Sequence, residues 1–562
     1  MKMSGKTKKN LLTGLALIPL LWILIGFILY PALNTLAISL FTEKGFVLDY
    51  YQQFFTYTKN MEAFGNTILI GFATVLICGV IGTALAFFTN AFEFPGKRLV
   101  NLMLLSPIML PGVVTTLVFM QLYSESGLVT KTVQLLFSMN EPPFELKGFW
   151  GIMFIHAYTQ YIFFYVNISA GLKRIDYSLI EAAKNMGASN WNVFRTVILP
   201  LMTPALVAAS ILTFMTAVGS FAAPALVGGS FRVMSVQILM SKVNNFIELA
   251  AVQGIMLSLI SILFLLFMRW YESRKDYTIS TKGRVVGTIK IEKAWMKWIF
   301  GILSGTVVLM IILPVFALIL LSFVKQGTWI AEIYPTQFSL ENYTAFFTEP
   351  RVMQPFINSF NMAVLSTALA VVVGSISSYI IIKTKLKVKW LIEVLVLLPW
   401  ALPASTVAIN MVIGFNVPTV FTFNQVLAGS YWILPLTYFV GMLTLIVRST
   451  NASLLQLHSS IEEASRSLGA SWFATFRKIV IPIAMPGIMA GALLGFVGAL
   501  GDYTSSALMY TVHNVPISVE MISKMYNFNI GLSMTYGVIQ VVITAAIILL
   551  SQKLGKIGDF KF

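Results

Sequence analysis

The chain has 562 residues, of which 57% are hydrophobic and only 11% are charged, and its formal net charge is +16 at pH 7. Soluble domains carry about 25% charged residues, so the composition excludes an ordinary soluble protein. Apolar runs of about 20 residues, the length that crosses a bilayer, recur along the chain and predict a polytopic α-helical membrane protein. The single cysteine, Cys78, excludes a disulfide framework and a cysteine-based metal site.

The first element in chain order is an apolar run from Leu11 to Leu29 that follows a short basic segment. The run is longer than the apolar region of a signal peptide, and no cleavage site follows it, so we expect a retained membrane span. Gly5, Lys6 and Thr7 imitate the end of a P-loop, but no upstream glycine or strand accompanies them. The sequence therefore predicts no ATP site, no catalytic residue and no metal site in this chain.

The basic residues are distributed unevenly between the predicted loops. With the N-terminus inside, about three quarters of the 38 lysine and arginine residues fall in predicted cytoplasmic segments. This asymmetry follows the positive-inside rule and predicts that both termini are cytoplasmic. The charge excess therefore indicates orientation and contact with membrane lipid, and nucleic acid is not expected as a partner.

The second half of the chain repeats the first. Asn66 recurs as Asn358, 292 positions later, and Trp150 recurs as Trp432, 282 positions later, because one external loop is shorter in the second half. Each repeat is predicted to contain six spans, about 12 in all, and an even number gives both repeats the same orientation. The predicted fold is all-α with two parallel six-helix repeats, which divide the chain into a first module at 1–268, a basic cytoplasmic linker at 269–297 and a second module at 298–562.

Two prolines interrupt the third predicted span of each repeat, Pro107 and Pro111 in the first and Pro399 and Pro403 in the second. Irregular backbone at membrane depth is tolerated where it is buried in protein or lines a wet cavity. These prolines are therefore candidates for a translocation path. The alternative is a simple kink or the boundary of a span.

A polar segment that occurs twice, at 178–200 and 460–482, joins the fourth and fifth predicted spans of each repeat. In the first copy Ser178 and Glu181 have the spacing of a capping box, which predicts a helix start at Ser178. Gly187 is expected to end this short helix, and Ser189 to cap a second helix that continues into the next span. The second copy has the same order, so each copy predicts a bent helical pair at the membrane surface.

The order of Glu-Ala-Ala, a glycine and a late aliphatic-proline pair resembles the EAA loop of ABC-importer permeases. The second copy departs from it with Ser465 in place of the second alanine and Ile481 before Pro482. The resemblance implies that both loops are coupling helices that dock on an ATPase. The coupling residues that it implies are Glu181, Ala182, Ala183, Gly187, Phe194, Glu463, Ala464, Ser465, Gly469 and Phe476.

The repeats diverge after the EAA-like loops. Gly219 and Gly501 match at the far end of the fifth predicted span, and Asp502 follows the second of them. In the resembled family this neighbourhood belongs to the translocation path and the external gate, so these three residues join the candidate path. The alternative for Asp502 is an acidic residue at the external membrane boundary.

The resemblance covers essentially the whole chain, and a fused two-module chain is most similar to the ferric-iron permeases among type I ABC importers. It implies a transport subunit without enzyme activity in the bacterial cytoplasmic (inner) membrane. The implied partners are a homodimeric ABC ATPase at the cytoplasmic face, which binds ATP and Mg, and an extracellular or periplasmic substrate-binding protein. The implied cargo is ferric iron, and 2-aminoethylphosphonate, thiamine or a polyamine are alternatives that use the same machinery.

A competing class is a secondary transporter driven by an ion gradient. Such proteins usually carry ionisable residues inside their spans, and here the middles of the predicted spans contain almost none. His156 is the one candidate, and we interpret it as a hydrogen-bonded packing residue. Because no span carries a carboxylate cluster, we expect the isolated chain to bind its cargo weakly.

Overall fold

The computed structural model of the protein describes residues 17–42, 45–273, 289–290, 293–329 and 332–555. In this part of the chain the structure is almost entirely helical. The strands are very short: β1 (Phe41–Thr42) pairs antiparallel with β2 (Gly45–Phe46), and β3 (Phe92–Glu93) pairs parallel with β4 (Ile289–Lys290). Both chain ends and most of the predicted linker at 269–297 lie outside the described residues, and so do the predictions made for them.

The first half of the chain forms helices that begin with a membrane helix and alternate long and short elements. They are α1 (Leu17–Leu40), α2 (Asp49–Thr56), α3 (Thr58–Ala91), α4 (Lys97–Leu105), α5 (Gly112–Tyr123), α6 (Leu128–Leu136), α7 (Gly148–Leu172), α8 (Tyr177–Asn185), α9 (Asn190–Val218), α10 (Ala222–Val227), α11 (Met234–Val243) and α12 (Ile247–Ser273).

The second half repeats this succession with a shorter external loop. Its helices are α13 (Ala294–Ser322), α14 (Glu341–Thr348), α15 (Pro350–Lys383), α16 (Lys389–Ala401), α17 (Ala404–Gly414), α18 (Ile433–Leu455), α19 (Ser459–Ser467), α20 (Phe473–Leu500), α21 (Thr504–Met509), α22 (Ile517–Tyr526) and α23 (Ile530–Gly555).

Nine of the described helices are long and apolar enough to cross a bilayer, namely α1, α3, α9, α12, α13, α15, α18, α20 and α23. Two bent helix pairs, Lys97–Met109 with Gly112–Leu136 and α16 with α17, raise the number of candidate spans to 11 if each pair crosses once. The remaining predicted span corresponds to α7, which has 25 residues but is less apolar because it contains His156, Gln160 and Asn167. The polytopic all-α fold with two repeats is therefore confirmed.

The helices pack into two compact units that do not coincide with the two repeats. One unit, here the C-terminal unit, contains α1, α2, Ile238–Ile255 and the chain from Leu340 onward. The other, the N-terminal unit, contains Tyr57–Gln237 and Met256–Ser339. Each unit therefore includes the first membrane helix of the other repeat, an exchange that the repeat pattern in the sequence does not reveal.

Close contacts hold α1 inside the C-terminal unit. The Asn34 side-chain amide donates a hydrogen bond to the carbonyl of Ile413 at 3.3 Å. Beside it, a Cβ atom at Gly414 would lie 2.9 Å from Cα of Pro31, so only glycine lets the two helices approach this closely. The end of α17 and the middle of α1 are thus packed backbone against backbone.

The exchanged helix α13 is held in the N-terminal unit by aromatic and polar contacts. Tyr158 Oη donates a hydrogen bond to the carbonyl of Ile311 at 3.0 Å, and the Ile311 side chain is buried. The ring of Phe300 stacks on that of Phe88, with centroids 5.2 Å apart. These contacts join α13 to α7 and α3 of the first repeat.

Matching hydrogen bonds show that the repeat is structural as well as sequential. The Asn66 side-chain amide donates to the carbonyl of Arg232 at 2.9 Å, and that of Asn358 donates to the carbonyl of Val515 at 3.1 Å. The neighbouring hydroxyl oxygens accept matching backbone N–H groups: Thr67 from Met234 at 2.9 Å, and Ser359 from Ile517 at 2.8 Å. The same polar residues therefore fix the start of α3 and of α15.

Candidate functional site

The first EAA-like loop begins its helix at a different residue from the one predicted. The Asp176 side chain accepts a hydrogen bond from the backbone N–H of Ser178 at 3.0 Å and caps α8. Ser178 lies inside the helix, and Ser460 lies inside α19 of the second loop. The predicted capping box of Ser178 and Glu181 is therefore wrong, because aspartate caps a helix as well as serine does and stands two residues earlier.

The predicted turn after the first short helix of each loop is confirmed. Gly187 and Gly469 both have φ of +82°, in the left-handed region that favours glycine. The N–H of Ala188 donates to the carbonyl of Ala183 at 3.1 Å, and that of Ala470 donates to Ser465 at 3.1 Å. These bonds are characteristic of the Schellman ending of a helix, and they set the angle between the two short helices of each loop.

The second helix of each loop starts as predicted and then widens before a proline. The Ser189 hydroxyl accepts the N–H of Asn192 at 3.2 Å, and the Ser471 hydroxyl accepts that of Ala474 at 3.2 Å. A π-helical turn follows in both loops, at Phe194–Ile198 and at Phe476–Val480. Within two residues of each π-helical turn comes a proline that both repeats share. In a regular α-helix the ring of this proline would clash with the carbonyl four residues earlier.

Large apolar side chains project from both loops at matching positions. Met186 is 88% exposed and its counterpart Leu468 is 89% exposed. Trp191 and its counterpart Phe473 are 67% and 63% exposed. In each loop the two apolar residues lie on either side of the glycine turn. Glu181 and Glu463 are exposed on the helices that precede the two turns. The two loops therefore present the same apolar surface beside an acidic residue.

The phenylalanines predicted to be coupling residues are half-buried and face the membrane helices. The ring of Phe194 lies 5.7 Å from that of Phe87 in α3. The ring of Phe476 lies 5.2 Å from that of Tyr379, at the matching position of α15. The two phenylalanines therefore join each loop to a span of its own repeat, and a role in contact with a partner stays a prediction.

The small residues of the motif occupy two environments. Ala182 and Ala464 are exposed, whereas Ala183 and Ser465 are half-buried. The Ser465 hydroxyl lies 2.9 Å from that of Thr475, in the second helix of the loop. The departure from Glu-Ala-Ala in the second copy thus adds a hydrogen bond that braces this loop internally.

The motif pattern misses a buried ion pair that anchors the second loop. Glu462, next to the exposed Glu463, lies in α19 with its carboxylate 3.2 Å from the Lys383 ammonium at the end of α15. No local sequence signal connects the two residues, which are far apart in the chain. Two oppositely charged residues in predicted cytoplasmic segments are the only hint that the sequence offers.

The proline pairs break their helices as predicted. Pro107 lies in a 3-10 turn and Pro111 precedes α5, with a bend of 105° between the two helical arms. Pro399 lies in the last turn of α16 and Pro403 precedes α17, with a bend of 113°. The irregularity of both spans is confirmed, and the assignment of these breaks to a translocation path stays a prediction.

The C-terminal ends of α9 and α20 stop at the predicted glycines, Gly219 and Gly501. Asp502 follows α20, and its carboxylate accepts the N–H groups of Ser505 at 2.8 Å and Ser506 at 3.0 Å. Burial raises the pKa of Asp502 to about 6, and these hydrogen bonds limit the rise. The carboxylate therefore caps α21, and its place in the candidate path stays a prediction.

His156 is a hydrogen-bonded packing residue, as the sequence predicts. It is buried in α7, with Nδ1 3.0 Å from the Thr74 hydroxyl and Nε2 2.9 Å from the Ser220 hydroxyl. Both ring nitrogens are thus engaged. At the matching position of the second repeat, the Tyr438 hydroxyl lies 2.7 Å from the Ser506 hydroxyl.

One charged side chain of a membrane helix lies over an aromatic ring. Arg448 is an exposed residue of α18, and its guanidinium carbon lies 4.3 Å from the centre of the Trp400 ring. Trp400 stands in the last turn of α16, next to the break at Pro399. A cation over an aromatic face at this distance is attracted by the electrons of the ring.

No candidate metal centre accompanies these elements in the described residues. None of the histidine, cysteine, aspartate and glutamate side chains there form a group of three or more that could hold a metal ion. Cys78 is buried in α3 with its thiol 3.4 Å from the carbonyl of His156. The candidate functional features of the described chain are therefore its two loops and its two helix breaks.

Two segments of the chain, residues 80–277 and 370–557, match the family model described as "binding-protein-dependent transport system inner membrane component". Each matched segment contains one EAA-like loop and one helix break. Together they cover more than half of the chain, once in each repeat.

Some relatives align with nearly the whole chain, and others align with a part of it. A probable ABC transporter permease protein, y4fN, of Sinorhizobium fredii is 27% identical over 549 residues, which cover 96% of each chain. The ferric transport system permease protein FbpB of Actinobacillus pleuropneumoniae is 23% identical over 541 residues, covering 95% of this chain and 77% of that protein. A putative 2-aminoethylphosphonate transport system permease protein, PhnU, of Salmonella typhimurium is 28% identical over 218 residues, covering 37% of this chain and 76% of that protein.

Proposed function

The chain belongs to the family of binding-protein-dependent transport system inner membrane components, and on that premise we propose that its two modules form the path of an ATP-driven importer. As a multi-pass permease of the inner membrane it is a transport component. The proposed cargo is a small solute that an external binding protein delivers. ATP and Mg would be bound by a separate, homodimeric ATPase at the cytoplasmic face.

The observation that carries this proposal is the pair of matching loops. Each loop presents an exposed apolar residue, Met186 or Leu468, beside a rigid glycine turn. Large exposed apolar side chains rimmed by polar residues are typical of protein interaction sites. Two equal surfaces on one chain suit a partner with two equal grooves, which is why the ATPase is proposed as a homodimer.

The proposed mechanism uses these loops as mechanical contacts. Closure of the ATPase dimer around ATP would draw the two loops together and reorient the membrane helices to which they are joined. Phe194 and Phe476 would transmit the movement, since their rings pack on α3 and α15. The path formed by the two modules would then open outward while a loaded binding protein is docked. The chain supplies no chemical step, and its contribution is an equilibrium between two conformations that the ATPase shifts.

The proposed cargo is ferric iron. The support is a relative named for ferric transport that aligns with nearly the whole of this chain. The same machinery could serve 2-aminoethylphosphonate, thiamine or a polyamine, and a relative named for 2-aminoethylphosphonate aligns with 37% of this chain. With both termini in the cytoplasm, as the distribution of basic residues favours, the loops and the ATPase would lie on the same side of the membrane.

The test is reconstitution of the purified permease in liposomes with its ATPase inside and loaded binding protein outside. Uptake of radioactive ferric iron should require ATP and should persist when ionophores abolish all ion gradients. Uptake that continues without ATP and stops with the ionophores would instead establish an ion-gradient-driven secondary transporter. Replacing iron by 2-aminoethylphosphonate, thiamine or spermidine in the same assay assigns the cargo.

A further inference from the structure

A small cavity lies beside the helix break of the second repeat, where α1 packs against α17 and α18. Its lining includes Ile28 and Pro31 of α1, Pro399 at the break and Asn410 of α17. The cavity has a volume of about 10 Å³, which is room for about one water molecule. All of its lining residues belong to the C-terminal unit, so the cavity lies inside that unit.

Asn410 brings an unpaired polar group to this place, since the other lining side chains are apolar. The residue is only 6% exposed, and its Oδ1 atom accepts a hydrogen bond from none of the described residues. Buried side-chain amides nearly always have hydrogen-bond partners, because removing a polar group from water without a partner is unfavourable. The cavity beside the amide is therefore the place where a partner from outside the chain fits.

The first repeat fills the matching place with its own side chains. Two residues that line the cavity, Val440 and Met411, correspond to Tyr158 and Phe119 of the first repeat. The rings of Tyr158 and Phe119 pack together with their centroids 4.9 Å apart. Smaller side chains at both positions therefore leave the cavity in the second repeat.

The tyrosine of the first repeat also supplies a hydrogen-bond donor that the second repeat lacks. The Tyr158 hydroxyl donates to the carbonyl of Ile311 at 3.0 Å, three residues before Pro314 of α13. Ile28 stands in the same relation to Pro31 of α1. Proline has no N–H group and so removes one donor from the turn that precedes it. The aliphatic residue that replaces the tyrosine cannot restore a donor at that turn.

The helices α1 and α13 match in detail around these prolines. Ser39 of α1 and Ser322 of α13 each stand eight residues after the proline. Each hydroxyl donates to the carbonyl three residues earlier, at 2.8 Å for Ser39 and at 2.6 Å for Ser322. The carbonyl of Ile28 is therefore the counterpart of the Ile311 carbonyl that accepts the tyrosine hydroxyl.

We propose that the cavity binds one ordered water molecule, which donates to the Ile28 carbonyl in place of the Tyr158 hydroxyl and hydrogen-bonds to the Asn410 amide. A buried water molecule needs more than one polar partner, and these two groups supply them. Ordered water is one of the means by which backbone groups freed by proline in a membrane helix regain a partner. The second helix break is thus hydrated, whereas side chains fill the first. This assignment does not depend on the proposed import.

Met411 lines the cavity and can report on its content. A short X-ray pulse converts bound water to hydroxyl radicals, which oxidise a neighbouring methionine to the sulfoxide. The full chain in lipid nanodiscs is irradiated, and mass spectrometry then measures the oxidation of each methionine. Met411 is 1% exposed, and Met362 of α15, which is 0% exposed and does not line the cavity, is the internal control. Met411 should be oxidised several times faster than Met362.

Asn410→Val removes the amide and introduces the residue type of the first repeat, where Val118 stands. Oxidation of Met411 should then fall to the level of Met362. The matched control is Val440→Ala, which widens the cavity and keeps both polar partners, so the oxidation of Met411 should persist. If Asn410→Val does not purify as a single species, Val440→Tyr replaces it, because the larger side chain takes the position of the water and should likewise abolish the oxidation.

The comparison of the two methionines needs only the wild-type chain, so it decides the matter even where a variant fails to fold. Equal oxidation of Met411 and Met362 overturns the proposal. Oxidation of Met411 that survives Asn410→Val or Val440→Tyr, or that is lost in Val440→Ala, overturns it as well. The measurement uses no ATP, ATPase or binding protein, so its result is independent of the test of import.

Discussion

Lys383 and Glu462 form a buried ion pair, 3.2 Å between ammonium and carboxylate oxygen, that ties the second EAA-like loop to α15. The same ammonium donates a hydrogen bond to the carbonyl of Leu457, where α18 leads into the loop, at 2.6 Å. In the first repeat the corresponding residues are Ala91, at the end of α3, and Ile180, which is buried in an apolar cluster. The two loops are therefore fixed by different chemistry in otherwise matching positions.

Because of this difference, we expect substitution of both Lys383 and Glu462 to destabilise the protein less than substitution of either residue alone. Lys383→Ala leaves Glu462 buried without its cation, and Glu462→Ile leaves the lysine without its anion, so each is expected to cost about 3–5 kcal/mol. The double variant reproduces the aliphatic pair of the first repeat and should recover most of that loss. Thermal unfolding of the four purified proteins measures the coupling. Additive effects of the two single substitutions would show that the pair does not hold the loop.

The glycine turns should tolerate asparagine but not valine. No atom lies within 4 Å of a Cβ built at Gly187 or at Gly469, so the effect of a substitution comes from the backbone alone. A left-handed residue other than glycine costs about 1–2 kcal/mol, more for a β-branched side chain and less for asparagine. Gly187→Val and Gly469→Val are expected to insert normally and to lose ATPase association.

Pull-down of the ATPase by each glycine variant measures this effect. Gly187→Asn and Gly469→Asn should bind nearly as wild type, and Asn190→Val, an exposed change nearby, serves as a further control. We expect the first loop, with its complete Glu-Ala-Ala, to be the more sensitive of the two. Normal ATPase association of both valine variants would exclude these loops as coupling elements.

The exposed apolar residues of the loops should matter for association and not for folding. Met186→Asp and Leu468→Asp each place a charge where an apolar contact with the ATPase is proposed, and buried apolar side chains contribute about 1.5–3 kcal/mol each. A loss of association of at least tenfold with unchanged thermal stability is therefore expected. Val512→Asp, an equally exposed residue between α21 and α22, is the matched control and should keep wild-type association. Wild-type binding by both loop variants would contradict the proposed docking surface.

Asp502 gives the protein a predictable pH dependence. Its pKa is raised from 3.8 to about 6 by burial, so the folded state holds the proton more tightly than the unfolded state does. The stability that it contributes is therefore present below about pH 4 and is lost as the pH rises to about 6, with an amplitude on the order of 3 kcal/mol.

The substitution Asp502→Asn removes this titration and keeps an oxygen that can cap α21. Thermal unfolding between about pH 4 and pH 6 should show a fall in stability for the wild type that is absent in the variant. Transport should be retained if the residue acts as a helix cap. Loss of transport with unchanged stability would place the carboxylate in the path instead.

The features that the sequence predicted correctly are those set by neighbouring residues. Gly187, Gly469 and the proline pairs impose their backbone conformations within a few residues, and the duplication makes each pattern visible twice. The helix start at Asp176 was missed because two good capping residues stand close together, and local pattern alone does not choose between them. These are errors of one turn within a correctly predicted element.

The features that the sequence did not predict depend on contacts between distant segments. The ion pair of Lys383 and Glu462 and the stacking of Arg448 on Trp400 join residues whose own neighbourhoods carry no signal of the partner. Arg448 itself lies inside α18, which continues beyond it to Leu455. Comparison of the two repeats does single out these residues, because each of them occupies a position where the other repeat has an aliphatic side chain.

The exchange of first helices between the two units has a consequence for the order in which the protein matures during synthesis. Helix α13 leaves the ribosome after α4 and α7 have been made, so the N-terminal unit can close as soon as α13 enters the membrane. Helix α1 must wait for α17, roughly 360 residues later, which at ~5–20 residues per second takes on the order of 20–70 s. During that interval Gly26 and Pro31 of α1 have no native neighbours, because both residues pack against residues of the second repeat. A chain truncated before residue 400 would therefore insert with α13 already packed in the N-terminal unit and with α1 lacking its native contacts.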